Sequence, residues 1–153
     1  MPDSRLVLAK FLPFRLSVLS NMVSSAIAAG YAERCGISIP EWRVIAVLAE
    51  SPGLAAAEVA ARTVMDKVAV SRAVASLLGK RHVHRSQSRR DRRRRTLGLS
   101  KSGQAVYATV VPMALGYERA LIDTLSAAEK RQMDAVLRKL MGRAAELGPA
   151  HEL

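Results

Sequence analysis

Residues 82–99 read HVHRSQSRRDRRRRTLGL, and the fold class depends on what this stretch forms. Polar and apolar side chains alternate over 82–85 and again over 95–99, which is the period of a half-buried β-strand. RRDRRRR (89–95), six arginines around one aspartate, lies between these two segments. The pattern therefore predicts a β-hairpin with an arginine-rich tip rather than a free basic tail.

The composition indicates a helical protein with an anionic partner. Half of the 153 residues are apolar, and Ala, Leu and Val far outnumber the aromatic residues, which favours one domain built mainly of helices. The net charge of +11 predicts binding to nucleic acid, a membrane surface or an acidic protein. Ten Lys or Arg and one Asp lie between Lys80 and Lys101, so this segment alone carries +9.

Two short helices joined by a tight break precede the hairpin. AAAEVAAR (55–62) has the composition of a short helix, and Asp66 is placed to cap a second helix over about 67–79. A helix-turn-helix followed directly by a β-hairpin is a winged helix-turn-helix, and the hairpin is its wing. The predicted fold is therefore mainly α, with a small β-hairpin wing.

Apolar helices flank this region on both sides. They are predicted over about 12–35, 39–50, 101–125 and 127–146, with capping boxes at Ser38–Glu41 and Ser126–Glu129. Such long apolar terminal helices usually pack on other helices, including those of a second subunit, so we expect a homodimer. The expected organisation is an N-terminal dimerisation helix (1–36), a winged helix-turn-helix domain (37–100) and C-terminal dimerisation helices (101–153).

Three segments occur in order at a recognisable spacing: IPEWRVIAVLAE (39–50), MDKVAVSRAVASLL (65–78) and DRRRRTLGLSKSG (91–103). Together they resemble the MarR family of winged helix-turn-helix transcription regulators, and with the flanking helices the resemblance covers nearly the whole chain. It implies a dimeric regulator of transcription, most often a repressor, that binds a pseudo-palindromic operator in double-stranded DNA. FLPFRLSVLSN (11–21) is similar to a subgroup that responds to aromatic acids or their coenzyme A thioesters.

The sequence departs from the family pattern at three places. Ala55 stands where the family has a Ser or Thr cap, and Val64 replaces a turn glycine. Arg81-His82 replaces the Gly-Leu that follows the recognition helix, although Arg is poorly suited to a left-handed backbone. We expect local differences in backbone geometry at these positions.

The outer face of the 67–79 helix is the first candidate for contact with DNA. The residues are Lys67, Val68, Ala69, Ser71 and Arg72. Val68 and Ala69 are small enough to approach a thymine methyl group, and Arg72 can fork onto guanine O6 and N7. Ser71 can reach a phosphate or a base edge, and Lys67 suits a phosphate. The alternative is a helix face that is merely solvated.

The wing tip is the second candidate. Its residues are Arg89, Arg90, Asp91, Arg92, Arg93, Arg94 and Arg95. A solvated tail would need no aspartate, so Asp91 is expected to accept hydrogen bonds from a neighbouring Arg or backbone N–H and hold the loop's shape. Arg93, with Arg92 or Arg94, is expected to enter the minor groove, and the remaining arginines to meet phosphates.

An effector pocket would lie between the dimerisation helices and the winged domain. Its candidate residues are Phe11, Phe14, Arg15, Trp42 and Arg43, with an arginine to meet a carboxylate or phosphate. Trp42 and Phe14 could equally be plain core residues.

Other chemistry has little support in the sequence. His82, His84 and His151 have no metal-ligand spacing, no nucleophile has a base, and no cofactor motif is present, so we expect no enzyme activity, metal or cofactor. Cys35 has no partner for a disulfide, and it is either a small half-buried thiol or a redox sensor beside Arg34. No run of about 18 apolar residues and no signal peptide is visible, so a cytoplasmic protein without membrane contact is expected.

Two further hypotheses of a different class remain open. A ligand-free architectural nucleoid protein would bind DNA of any sequence through its arginines. An RNA-binding or ribosome-associated winged domain would instead prefer structured RNA.

Overall fold

The computed structural model describes residues 5–149, and it confirms the predicted fold class. The elements of this part of the chain are a short 3-10 helix (Leu8–Lys10), α1 (Leu12–Cys35), α2 (Ile39–Glu50), α3 (Ala56–Thr63), α4 (Lys67–Gly79), β1 (Val83–Gln87), β2 (Arg95–Leu99), α5 (Lys101–Ile122) and α6 (Ala127–Leu147). The chain forms two compact units, of which one reaches Ala114 and the other begins at Leu115.

Capping residues set most of the helix starts and ends at the positions that the sequence predicts. Gly36 takes a left-handed φ of 63° after α1, and the Asp66 carboxylate accepts hydrogen bonds from Val68 N (2.7 Å) and Ala69 N (3.1 Å) at the start of α4. Both predicted capping boxes are confirmed, at Ser38 before α2 and at Ser126 before α6. Each cap satisfies backbone groups that a helix end leaves without partners.

The structure differs from the prediction at the end of α5 and along β1. α5 stops at Ile122 instead of continuing to 125, because residues 123–125 turn the backbone so that Ser126 can adopt the extended conformation of an N-cap. β1 runs from Val83 to Gln87, longer and later than predicted. Its last residues are polar and carry no apolar period, and they become a strand by pairing with β2.

Two residues that depart from the family pattern adopt a left-handed backbone, the conformation that suits glycine. Val64 has φ 51° and Arg81 has φ 61°, so both adopt the left-handed conformation that a glycine would adopt at lower cost. The cost for an L-residue is about 1–2 kcal/mol at each position. Ala55 offers no side-chain cap, and the Glu58 carboxylate instead accepts a hydrogen bond from Ala55 N at 2.7 Å.

The core of the first unit lies between α2, α3, α4 and the wing. Its fully buried side chains include Tyr31, Val44, Ile45, Leu48, Val59, Val70, Leu77 and Val110. The buried residues of α4 are Val70, Ala73, Val74 and Leu77, which follow the helical period and leave the opposite face of α4 in solvent. The helix-turn-helix is therefore held by α2, while its outer face stays free.

Helix α1 is apolar but mostly exposed in the single chain. Only Tyr31, near its C-terminal end, is buried, whereas Leu19 is 52% and Met22 is 65% exposed. By length and composition alone α1 is long and apolar enough to cross a membrane, a test that core helices of soluble proteins also pass. It contains no uninterrupted run of about 18 apolar residues, because Arg15, Ser17 and Asn21 lie within it.

An ion pair between a buried carboxylate and a partly exposed lysine joins the ends of three helices. Lys80 Nζ, just after α4, donates to Glu41 Oε1 at 2.7 Å and to the carbonyl oxygen of Gly36 at 2.7 Å. Burial alone raises the pKa of Glu41, but its hydrogen bonds with Lys80, Ser76 and the Ser38 backbone outweigh burial, so the pKa of Glu41 is lowered. Lys80 therefore has a partner within the fold, although its side chain is 37% exposed and the sequence placed it in the basic segment.

Substitution of Lys80 by Met should lower the free energy of unfolding by about 2 kcal/mol at neutral pH, because it leaves a buried carboxylate without its charged partner. A carboxylate with a lowered pKa stabilises the fold above its unfolded value of 4.5 and loses that effect as the pH falls through the folded value. The deficit of the variant should therefore shrink at acidic pH, as the pH falls through the lowered pKa of Glu41 and the carboxylate becomes protonated. Urea denaturation at neutral and at acidic pH measures the free energy of unfolding of the variant and of the wild type.

Lys139→Met, which removes an exposed lysine of α6, is the matched control and should change little. Equal stability of Lys80→Met and Lys139→Met at neutral pH would contradict the role given to Lys80.

Candidate nucleic-acid interface

Helix α4 presents a small, basic outer face. Lys67, Val68, Ser71 and Arg72 are exposed, and Ala69 is half-buried beside them. All five residues predicted for the recognition helix thus lie at or next to the solvent face, opposite the buried Val70 and Leu77. Because the side chains other than Lys67 and Arg72 are short, this face can approach another surface closely.

The wing is a two-stranded antiparallel hairpin with a third connection at its base. The register runs from Val83 opposite Leu99 to Gln87 opposite Arg95. On the other edge of β2, Leu97 N donates to Leu54 O at 2.8 Å and Gly53 N donates to Leu97 O at 3.0 Å. The side chains of Val83 and Leu97 are buried in the core. The base of the wing is therefore fixed by both hydrogen bonds and apolar packing.

The tip of the wing is a closed turn. Ser88 N donates to Arg94 O at 2.9 Å, and Arg94 N donates to Asp91 O at 3.0 Å. The Asp91 carboxylate accepts a hydrogen bond from Arg93 N at 2.9 Å, which is the loop-shaping geometry that the sequence suggested. Ser88 Oγ accepts from the backbone nitrogens of Arg90 (3.3 Å) and Asp91 (3.4 Å).

Arg94 differs from the other tip arginines because it has an internal partner. Its guanidinium forms an ion pair with Glu58, on the first turn of α3. The backbone N–H of Ala55 and the side chain of Arg94 hold the pKa of Glu58 below its usual value, although burial acts in the opposite direction. The sequence analysis did not identify Glu58. The one available signal was that Glu58 lies three residues after Ala55, at the position of the acidic residue in a capping box.

The remaining wing arginines are Arg89, Arg90, Arg92, Arg93 and Arg95. All five are exposed, and within residues 5–149 none makes an ion pair. Of the three arginines considered for the minor groove, Arg92 and Arg93 are thus free of an internal partner and Arg94 is not. The structure brings these cations together at one end of the hairpin.

The start of α5 packs against the start of β1 through a glycine. Ser100 Oγ donates to Arg81 O at 2.6 Å and accepts from Gly103 N at 3.1 Å, and Ser100 N donates to His82 O at 3.0 Å. A Cβ atom added at Gly103 would lie 2.0 Å from His82 O. His82 Nδ1 is 2.6 Å from Ser102 Oγ. Helix α5 and the wing therefore share one tightly packed junction.

The predicted effector residues lie along two different cavities. Phe14 and Arg15 line a shallow cavity of about 270 Å³ on α1. Trp42 and Arg43 line another, of about 110 Å³, with Ser24, Ile27, Tyr31 and Ile39. Trp42 also packs on the ring of Tyr107 at 5.9 Å between centroids, so it contributes to the core as well. Phe11, which precedes α1, is exposed.

Residues 5–149 contain no group of three or more His, Cys, Asp or Glu that could hold a metal ion. His151 lies outside the described residues. Cys35 is a free, half-buried cysteine.

A helix-turn-helix with an exposed recognition face, followed by a hairpin anchored to the same core, is a winged helix-turn-helix. Residues 36–94 match the model of the MarR family of transcriptional regulators, and the fold is that of MarR-family structures. The chain is similar to a MarR/EmrR family transcriptional regulator from Acinetobacter sp. ADP1 (26% identity, TM-score 0.83, covering 92% of this chain and 99% of the other).

Two other known proteins are similar to it. The transcriptional regulator HosA from Escherichia coli is 26% identical over 102 residues, which cover 67% of this chain and 76% of HosA. MepR from S. aureus, solved as a complex with DNA, has 21% identity and a TM-score of 0.77, covering 87% of this chain and 96% of the other. The MepR likeness supports the fold.

Substitution of Gly103 by Ala should destabilise the protein by about 2 kcal/mol or more, because the new methyl group cannot fit beside the His82 carbonyl without moving α5 or the wing. Thermal unfolding and hydrogen exchange of β1 amides measure the effect.

Gly142→Ala is the matched control, since Gly142 is inside α6 and a Cβ atom added there would have nothing within 4 Å. It should leave stability unchanged or raise it by up to about 1 kcal/mol, as alanine favours helix over glycine. Effects of the same sign and size from both substitutions would show that the junction at Gly103 is not tightly packed.

Proposed function

We propose that this MarR-family regulator is a homodimer that binds double-stranded DNA in a sequence-specific manner. It represses transcription from a pseudo-palindromic operator. The observation that carries the proposal is the pairing of two exposed basic elements, the outer face of α4 and the tip of the wing, on a single core. A small ligand is proposed to release the DNA by changing the spacing of the two recognition helices.

Each element has a distinct task in this proposal. Helix α4 enters the major groove, where Arg72 binds guanine and Val68 and Ala69 contact thymine methyl groups. Lys67 binds a phosphate, and Ser71 binds a phosphate or a base edge. At the wing, Arg93 with Arg92 enters the minor groove, where narrow A·T tracts concentrate negative potential. Arg89, Arg90 and Arg95 bind phosphates and set the register, and Asp91 holds the turn.

Selection of bound sites from random duplexes, at fixed salt, tests this function. The wild-type protein should select a pseudo-palindrome with half-sites about one DNA turn apart. Arg72→Ala should relax preference at one base pair per half-site, a loss of about 1–3 kcal/mol of discrimination. Arg93→Ala should weaken binding and reduce the dependence on salt. Repeating the selection with aromatic acids and their coenzyme A thioesters tests the effector.

Arg138→Ala is the control, because Arg138 is exposed on α6 and pairs with Asp134 at 2.8 Å. It should bind the selected operator as the wild type does. No loss from Arg72→Ala or Arg93→Ala would reject the assignment of the site. If the affinities for selected and random DNA were nearly equal, the architectural nucleoid protein would be favoured instead. Competition by structured RNA would favour an RNA-binding domain.

The proposed dimer interface is formed by the terminal segments, within 1–36 and 101–153. Apolar side chains are exposed on α1 (Leu12, Phe14, Leu16, Val18, Leu19 and Met22) and on α6 (Met133, Val136, Leu137, Leu140 and Met141). So many exposed apolar residues on two long helices exceed the single ones found on ordinary surfaces, and a second copy of the chain would cover them. The same contact accounts for the hydropathy of α1, so we propose a cytoplasmic protein with no membrane contact.

Leu19→Glu should convert the dimer to a monomer and abolish tight operator binding, since a charge would be buried at the centre of the α1 face. Sedimentation equilibrium measures the oligomeric state. Val64→Glu is the control, because Val64 is 91% exposed at the helix-turn-helix and far from α1 in the chain. A dimeric Leu19→Glu protein would refute this interface.

The effector site is proposed on the two cavities that hold the predicted residues. Arg43, whose guanidinium lies 3.5 Å from Ser24 Oγ, and Arg15 on α1 would meet the carboxylate or phosphate of the ligand. Phe11, Phe14 and Trp42 would contact its apolar part. An aromatic acid or its coenzyme A thioester is the proposed class of ligand.

A further inference from the structure

Glu58 binds two parts of the molecule with one carboxylate. Its Oε2 atom accepts a hydrogen bond from Ala55 N at 2.7 Å and also meets the guanidinium of Arg94. The backbone contact fixes the position of the carboxylate on the first turn of α3, so Arg94 meets an acceptor that is already oriented. An exposed ion pair contributes little when two free side chains must be ordered together, and here only one must be.

Arg94 is also the residue at which the wing tip closes. Its carbonyl oxygen accepts from Ser88 N at 2.9 Å, and its own nitrogen donates to Asp91 O at 3.0 Å. The wing is otherwise joined to the helices at its base, through Leu97 and Leu54. A two-stranded hairpin is only marginally stable by itself, and its far end can swing about its base. The Glu58–Arg94 contact is placed to limit that swing.

The charges agree with a structural task for Arg94. The pKa of Glu58 is lowered, first by the Ala55 backbone N–H and then by Arg94, so Glu58 is ionised at neutral pH. It neutralises Arg94 and leaves the charge of the five other wing arginines for DNA. An arginine that bound phosphate would gain most from having no carboxylate beside it.

We propose that Glu58 and Arg94 are positioning residues that fix the angle between the wing tip and the helix-turn-helix, and that Arg94 does not contact DNA. The inference rests on the DNA-binding function proposed above. It makes Glu58 a determinant of specificity, because the angle of the tip decides where Arg92 and Arg93 meet the minor groove while α4 lies in the major groove. Releasing the tip should therefore lower discrimination more than overall attraction to DNA.

Three single variants and one double variant separate this proposal from direct binding: Glu58→Gln, Arg94→Gln, Arg93→Gln, and Glu58→Gln combined with Arg94→Gln. Gln at 58 can still accept from Ala55 N, so the cap of α3 is kept while the charge is lost. Glu50→Gln, at the exposed end of α2, controls for the loss of one acid.

The first readout needs no DNA. Hydrogen exchange at the tip amides of Arg93 and Arg94 should rise about tenfold or more in Glu58→Gln and Arg94→Gln, and no further in the double variant, because both single changes remove the same contact. Unchanged exchange in both single variants would overturn the proposal, whatever the protein binds.

The second readout is the salt dependence of operator affinity. Arg93→Gln should reduce the slope of log K against log salt by up to about 2 for a dimer, since a cation in the minor groove also displaces counterions and about 0.9 is lost per phosphate charge neutralised. Arg94→Gln should leave the slope unchanged and lower the ratio of operator to random-DNA affinity about tenfold, and the double variant should lower this ratio no further. Equal slope losses in Arg93→Gln and Arg94→Gln would overturn the proposal. No operator preference in the wild type would instead refute the proposed function.

Discussion

The position of the wing depends on the hydrogen bonds that β2 makes on both of its edges. One edge pairs with β1, and the other meets Leu54 through the backbone of Leu97. The side chain of Leu97 is only 4% exposed, so the strand cannot leave without opening the core. Because the arginine-rich tip is an extension of the same two strands, each tip residue takes its place relative to α4 from this attachment.

The close packing around Gly103 transmits the same constraint to α5. The carbonyl groups of Arg81 and His82, just before β1, both bond to Ser100, just before α5. A left-handed Arg81 is tolerated here because these hydrogen bonds and the packed glycine hold the backbone on both sides. The wing, the recognition helix and the N-terminal half of α5 therefore form one connected unit of structure.

The wing concentrates like charges, and acidic residues within and beside it offset part of the repulsion. Asp91 uses its carboxylate on the backbone of the turn, and Glu58 uses its own on Arg94. Lys80, at the other end of the basic segment, is turned inward to Glu41. The cations of this segment thus divide into Lys80 and Arg94, which pair with a carboxylate, and the other wing arginines, which make no ion pair within residues 5–149, a division that a count of charges does not reveal.

The helices and the helix-turn-helix could be predicted because their signals are local. Gly36, Ser38, Asp66 and Ser126 act on backbone groups within four residues, so their effect on helix ends is readable from neighbours in the chain. The exposed face of α4 followed from the helical period in the same way. Ser86 and Gln87 escaped prediction, because they become part of β1 only by pairing with residues on β2.

The sequence by itself determined the order of elements, the placement of the basic segment on a hairpin and the resemblance to the MarR family. All three depend on short-range patterns. The tertiary structure alone decided which of the similar arginines is bound and which are free. It also separated the candidate effector residues into two cavities. The physical reason is that the carboxylate paired with Arg94 lies 36 residues away in the chain, and the two come together because Leu54, just before α3, pairs with Leu97 of β2.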